Sequence, residues 1–591
     1  MILQALYGCY EKLLADPESG IAPPYYSSAP VSYAFELAAD GRLLAVYPLY
    51  EMQGRRKVIP KANVPERVKR ASNVAANYMC DNAGYVLGYD SKGKPERAKQ
   101  CFEAFVELHN KILGNVNDAG AKALLAFLEA QVAGDVADQA FENYREDLLD
   151  GGNIVFMLSS ERGYLHDRPA ISQAWEQYCA DTQSQTISQC LITGEWLPVA
   201  RLHPSIKRVV GAQSSGASIV SFNDEAYESY GKKQSFNAPV SEKAASAYTT
   251  ALNYLLANKK YNTLIGDATT VFWAEGQALR EEQMIAAFWG SATEADDSVN
   301  QEATRLLREA LLRVRRGQDI KALDLDPNIR IHILGLAPNA ARISIRFYQT
   351  ELFGTFLGRF SRHYADMQII QPKQYQDDFP PIWRLLAETA VQGKRDNIPN
   401  TLISNTMNAI LSGTRYPQSL YQAILIRVRS DKQINPIRAG IIKACLIRQA
   451  RAANKEEGVY TVALNEANKQ QAYLLGRLFA LLERAQLHAQ GENLNKTIRD
   501  TYFSAASATP AVVFPRLLRL AQHHISKEKE KNRWVDRDIG KILADIELVG
   551  DAAGFPASLS LQDQGLFILG YYHQRQDFFT PRKDKVKKEE E

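Results

Sequence analysis

No apolar run of about 18 residues occurs anywhere in this chain, which argues against a membrane-spanning helix of ordinary length. There is no CxxC pair, because the six cysteines (Cys9, Cys80, Cys101, Cys179, Cys190 and Cys445) are scattered. That spacing opposes both a disulfide framework and a zinc ribbon. Walker A, HExxH and GxSxG patterns are all missing, so no short motif announces nucleotide hydrolysis, zinc peptidase or serine hydrolase chemistry. Net charge is also scarce, since 70 Lys and Arg stand against 67 Asp and Glu. Whole-chain charge therefore favours no partner, and only local patches can do so. The opening MILQALYGCYEKLL reads as an amphipathic helix without a basic leader or cleavage site, so a soluble, cytoplasmic protein is expected.

Histidines are few, and none of the nine falls into a strong site pattern. His166–Asp167 has the look of a metal pair but sits in LHDRPA, a proline-broken loop. His523 and His524 lie on one helix, where neighbours point about 100° apart and do not favour one shared metal. His203, before Pro204, suits a structural role better than general-base work. Cys190 in CLITGEW resembles one knuckle of a metal site, but no second knuckle follows. The acid pair of DxD type Asp324 and Asp326 precedes Pro327 in a turn. The sequence thus offers no catalytic constellation, no metal site and no cofactor motif.

The pattern of elements predicts an α+β protein: a mixed N-terminal region with several short sheets, then an all-α C-terminal helical bundle. Segments Val31–Glu36 and Leu43–Pro48 flank Ala39–Asp40–Gly41 as a hairpin. Helices are expected over Lys94–Asn115, Ala119–Asp150 and Lys243–Leu256. Strands are expected at Asn153–Leu158, Thr186–Leu191, Ser218–Phe222, Thr269–Trp273, Ile329–Leu336 and Ala341–Tyr348, with Arg342 and Arg346 on one face of the last. An acidic stretch, Glu275–Glu302, and a basic helix, Arg305–Arg316, read as solvated faces, with complementary surfaces as the other reading. From about Gln371 the chain turns helical. The expected divisions are 1–370, a basic helical region 371–458, and a bundle 459–591 with a disordered tail from about 580.

Three local patches stand out from the neutral background. Glu51–Arg70 carries seven cations (Arg55, Arg56, Lys57, Lys61, Arg67, Lys69 and Arg70) against Glu51 and Glu66. Its two prolines predict a loop, and Asn73 and Asn77 follow closely. Nucleic-acid contact and a solvated loop both account for it. Gly211–Ser241 holds three glycines, seven serines, four aromatics and the Lys232–Lys233 pair. Freed backbone N–H groups, small hydroxyls and paired lysines suit a phosphate backbone, while a strand leading into a surface loop is the plainer alternative. Arg415–Arg451 has eight Arg and Lys against Asp431 alone.

Several long motifs carry a resemblance over nearly the whole chain. They are NVPERVKRASNVAANYMCDNAGYVLG at 63–88, ARLHPSIKRVVGAQSSGASIVSFNDEAYESYGK at 200–232, TTVFWAE at 269–275, HILGLAPNAARISIRFY at 332–348, AYLLGRLFALLERAQ at 472–486 and ATPAVVFPRLLRLAQHH at 508–524. The sequence resembles the large subunit of the type I-C CRISPR surveillance complex, Cascade. The resemblance implies a prokaryotic, cytoplasmic, non-catalytic subunit that recognises the protospacer-adjacent motif in duplex DNA. It also implies promotion of unwinding and R-loop formation, holding of the displaced strand and recruitment of a helicase-nuclease. Implied partners are guide crRNA, target double-stranded DNA, a repeated backbone subunit, a crRNA-processing subunit, a small helical subunit and the helicase-nuclease, with no membrane.

On that footing the residues take expected roles. Lys61, Arg70, Ser72, Asn73 and Asn77 are expected to read the motif, because carboxamides both donate and accept. Gln213, Ser214, Ser215, Lys232 and Lys233 are expected along the DNA backbone near the opening point. Arg427, Arg429, Arg438, Arg477, Arg484, Arg516 and Arg519 are expected along the displaced strand. A helical piece starting near Val459, or at Met407, is expected as a separately translated small subunit. The rival readings are a metal-dependent nucleic-acid-processing enzyme and a scaffold without DNA contact.

Overall fold

The structure, a computed structural model, describes residues 1–54, 56–68, 70, 73–90, 93–133, 144–159, 161–276, 278–289, 297–372, 379–491, 494–549 and 554–579. Helix makes up 53% and strand 15%, so the chain is α+β as the residue pattern predicts. It divides into one unit formed by Met1–Asn258 with Pro338–Ser344, and a second formed by Lys259–Ala337 with Ile345–Glu591. The expected boundaries near 370 and 458 therefore both fall inside the second unit.

In the first unit, Tyr33–Leu37 pairs antiparallel with Leu43–Pro48 and parallel with Asn153–Leu158. The short strand Asp81–Asn82 completes this four-stranded sheet beyond Asn153–Leu158. Tyr33–Leu37 and Asn153–Leu158 are central and covered on both faces, which is why they read as nearly unbroken apolar runs. Phe35 and Phe156 from these strands meet Phe127, all three ring pairs lying 6.1–6.5 Å apart. Such pairs contribute about 0.5–1.5 kcal/mol each beyond area burial. Phe127 lies on helix Ala119–Ala133, and Phe105 on Pro95–Leu113 joins the same core.

Two expectations for this unit change. The basic segment Glu51–Arg70 is not wholly loop: Glu51–Gln53 pairs with Arg56–Val58, and Lys61–Pro65 pairs with Tyr26–Pro30. Its prolines sit between or at the ends of these short strands, where a missing N–H costs little. Conversely, Ser218–Phe222 forms no strand; Ser218 alone makes a single parallel bridge to Arg342.

A four-stranded sheet in the order Asn262–Ile265, Ala268–Ala274, Arg330–Asn339 and Arg342–Leu352 lies mostly in the second unit. All seven residues of Ala268–Ala274 are buried, as its apolar character predicts. The helices that follow are centred on Gln471–Gln490, apolar on nearly every side and covered on nearly every side. Helix Leu561–Asp577 crosses it at very short range. A Cβ added to Gly476 would lie 2.0 Å from Phe567 O, and one added to Gly570 would lie 2.2 Å from Tyr473 O. Glycine is what allows the two backbones to touch.

One core runs through the segments expected as separate helical domains. Tyr421 Oη donates to the carbonyls of Leu561 at 3.2 Å and Gln562 at 3.0 Å. Tyr572 Oη donates to Ile370 O at 2.7 Å. Among the described residues no helix is long and apolar enough to cross a membrane.

Candidate nucleic-acid interface

The segment proposed as the motif reader is a clamped loop. At its foot, Tyr78 is stacked between Trp175 and His109, with ring centroids at 4.9 and 5.1 Å. His109 Nε2 accepts from Met79 N at 3.0 Å, and its Nδ1 donates to Phe105 O at 2.7 Å. The Arg70 guanidinium forms a two-pronged ion pair with fully buried Asp81 and lies 3.8 Å over the Tyr85 ring. Asn77 is also buried; its Oδ1 accepts from Val68 N at 2.9 Å and its backbone N–H donates to Asp81 Oδ2 at 2.9 Å.

Arg70 and Asn77 thus hold the loop in shape, and their polar atoms face inward. Both are expected as base readers; in the structure the cation is paired with Asp81, and the carboxamide is enclosed, its Nδ2 without a hydrogen-bond partner among the described residues. Asn73 is exposed. Ser72, like Arg55 and Lys69, lies outside the described residues.

Lys61 is exposed at the start of Lys61–Pro65. Burial, then the charges of Arg208 and Lys207, hold its ammonium below the ordinary lysine range. Those two residues belong to a closed loop. Ile206 and Ala217 exchange both backbone hydrogen bonds at 2.8 and 2.9 Å, joining the ends of 206–217. Asn253 braces it from helix Glu242–Ala257, accepting from Lys207 N at 2.8 Å and donating to Ser205 O at 3.1 Å.

Near the far end of the loop, Gly216 has φ +96°, and a Cβ there would lie 2.8 Å from Ser205 Cβ. Glycine is required, and its closeness brings exposed Gln213, Ser214 and Ser215 beside the arm that carries Lys207 and Arg208. Arg208 itself has φ +68°, a strained value for a long side chain. None of Lys61, Lys207 and Arg208 makes an ion pair among the described residues. Three like charges near enough to act on one another, with no ion pair among the described residues, are what a polyanion contact would use. Sequence reading missed Lys207 and Arg208 because two cations in RLHPSIKRVV raise local charge density very little.

Lys232 and Lys233 are exposed beside the turn Ser229–Lys232. Asn237 ties this turn down, accepting from Ser229 N at 2.8 Å and donating to the carbonyls of Lys232 at 2.6 Å and Gln234 at 2.9 Å.

The structure separates the seven arginines of the expected displaced-strand path into two classes. Arg438 is buried and binds Glu388 and Asp431, and Arg427 pairs with Asp431 at 3.3 Å. Arg477 is buried with its Nε donating to Gln574 Oε1 at 3.0 Å, and Arg484 stands over the Phe578 ring. Arg427, Arg438 and Arg477, expected along the displaced strand, have their charge or donors engaged internally. Much of the remaining basic surplus in Arg415–Arg451 also turns inward: Arg448 and Arg451 grip the Asp366 carboxylate, and Lys443 donates to Asp366 O. Arg516 and Arg519 are exposed on Pro510–Lys527, a helix without a single acid. Arg429 is half-buried, and its Nε and Nη2 have no hydrogen-bond partner among the described residues.

Of the candidate catalytic and metal residues, His166, His203 and Cys190 make contacts of their own. His166 is buried, with Nε2 3.1 Å from Asn63 O, and burial lowers its basicity. His203 Nδ1 lies 2.7 Å from Tyr248 Oη. Burial pushes the Cys190 thiol up, but N–H groups of Ser241 and Ile192 at 3.3 and 3.4 Å help bring it down to about 7. Among the described residues no three His, Cys, Asp or Glu side chains converge as a metal-binding group.

A family model described as "CRISPR-associated protein (Cas_Csd1)" matches residues 6–579. No curated protein matches the chain.

Proposed function

The chain belongs to the Cas_Csd1 family of CRISPR-associated proteins, and from that membership we propose that it is the non-catalytic large subunit of a type I-C RNA-guided DNA surveillance complex. In this reading it recognises the protospacer-adjacent motif, promotes unwinding and R-loop formation, helps hold the displaced strand and recruits a helicase-nuclease. Its partners are guide crRNA, target double-stranded DNA, the repeated backbone subunit, the crRNA-processing subunit and a small helical subunit.

The observation that carries the DNA-binding part is the cluster of Lys61, on strand Lys61–Pro65, with Lys207 and Arg208 of loop 206–217, none of them ion-paired among the described residues. Gln213, Ser214 and Ser215 add neutral donors beside it, a mixture that grips phosphates without reading bases. Exposed Asn73 is the motif reader, and Arg70 and Asn77 are the residues that shape its platform. Exposed Arg516 and Arg519, together with half-buried Arg429, are the phosphate contacts for displaced strand.

The test is duplex binding over a range of salt by the assembled complex. Replacing Lys61, Lys207 and Arg208 by alanine should flatten the salt dependence by about 0.9 for each phosphate that is no longer neutralised. Asn73→Ala should instead equalise affinity for duplexes with and without the motif. If the triple variant keeps the full salt slope, the cluster does not meet DNA and a scaffold role is favoured.

The internal small subunit is part of the same proposal. Mass spectrometry of the purified complex should reveal a fragment beginning near Val459 or at Met407, and a single full-length species would exclude it.

A further inference from the structure

Tyr230 is fully exposed, at 100% of its accessible surface, and its φ is +53°. Gly231 follows at φ +69°, and Lys232 N donates to Ser229 O at 3.0 Å. A tight turn with both central residues left-handed ordinarily takes Asn-Gly or Asp-Gly, because those side chains tolerate that backbone. A tyrosine there is strained, and its ring gains nothing from burial. Two costs are therefore carried at one position, the mark of a residue kept for something outside the fold.

The surroundings make the turn a rigid presenter. Asn237 bonds Ser229 N and Lys232 O of the turn and Gln234 O just beyond it, so the ring projects from a fixed base. Lys232 and Lys233 stand exposed immediately after it. Of the nearby acids, Asp224 and Glu225 are exposed, Asp224 capping its own turn by accepting from Ala226 N at 2.9 Å, and Glu228 is half-buried. A bare aromatic ring followed in the chain by two lysines that make no ion pair among the described residues matches the alternation of base and phosphate in a nucleic-acid strand.

We infer that Tyr230 is a base-stacking residue, its ring packing on a DNA base released from the helical stack while Lys232 and Lys233 hold the neighbouring phosphates. This assignment rests on the DNA-binding reading above and adds to it the residue that touches a base face. Stacking on an aromatic ring is tolerant of base identity, so Tyr230 would hold opened DNA without selecting its sequence.

The test uses the full-length protein and a forked DNA duplex with 2-aminopurine at the junction, whose fluorescence reports stacking. Tyr230→Phe keeps the ring and should bind and alter fluorescence as the wild type does. Tyr230→Asn fits the left-handed backbone, so the turn persists without the ring. It should lose the fluorescence response and about tenfold in affinity, with an unchanged salt slope. The double variant K232A/K233A should flatten the salt slope and keep the fluorescence response.

Wild-type affinity and fluorescence in Tyr230→Asn would overturn the assignment while leaving DNA binding in place. Loss in Tyr230→Phe equal to that in Tyr230→Asn would also overturn it, by pointing to a hydroxyl contact. A wild-type protein that binds no forked DNA would remove the DNA reading itself, and this assignment with it.

Discussion

Arg70 reaches across its own surface loop to meet Asp81 with both guanidinium prongs, and Asp81 is wholly enclosed. Removing one partner of such a pair leaves the other charge buried and uncompensated, which costs about 3–5 kcal/mol. Arg70→Ala should therefore lower the melting temperature as well as motif discrimination. Asn73→Ala, at an exposed position, should change discrimination and leave melting untouched. Thermal denaturation run beside DNA binding separates the two effects.

The cation cluster predicts the opposite balance. Lys61, Lys207 and Arg208 repel one another in the free protein, so alanine at Lys207 should keep or slightly raise the melting temperature while weakening DNA binding. A fall in stability there would mean that Lys207 has a fold-supporting role.

Acid should destabilise both units. Burial lowers His109 and His203 to about 4 and His573 to about 3, against an ordinary value near 6.5. These histidines stay neutral in the folded chain while the unfolded chain takes up protons below 6.5. Unfolding is then favoured as pH falls, so stability is full above about 7 and lost between 6.5 and 4. The loss is about 2 kcal/mol per histidine by pH 5. Melting curves from pH 8 to 5 check the direction, and His109→Gln should blunt the acid sensitivity.

At the helix crossing in the second unit, Gly476→Ala places a methyl where Phe567 O already lies. Separating the two helices should cost about 3 kcal/mol, read as a lower melting temperature with the DNA salt slope unaffected.

Much of the fold is legible from residue pattern, because buried strands such as Asn153–Leu158 and Ala268–Ala274 are apolar throughout and the later helices repeat at helical spacing. The short strands within Glu51–Arg70 are hidden, since pairing across Lys61–Pro65 and Tyr26–Pro30 depends on a partner far away in the chain. The site is legible only in part. Charge counting finds Arg70, Arg438 and Arg477 as readily as Arg516, yet only the fold decides which cations are neutralised or engaged by a distant Asp81, Glu388 or Gln574. Lys207 and Arg208 fail to stand out for the converse reason: their importance comes from Lys61, about 150 positions earlier and joined to them only by folding.

The first unit is not one continuous stretch. Pro338–Ser344 brings it Arg342, whose guanidinium lies 4.3 Å over the Tyr227 ring and bonds Asn223, next to the Ser218 bridge. A chain ended after Asn258 would leave Tyr227 and Asn223 without that support, a few residues from the Tyr230 turn. Truncation mapping of DNA binding would then report a damaged presenter as though it were a missing contact. Point variants on the intact chain are the sound way to dissect this surface.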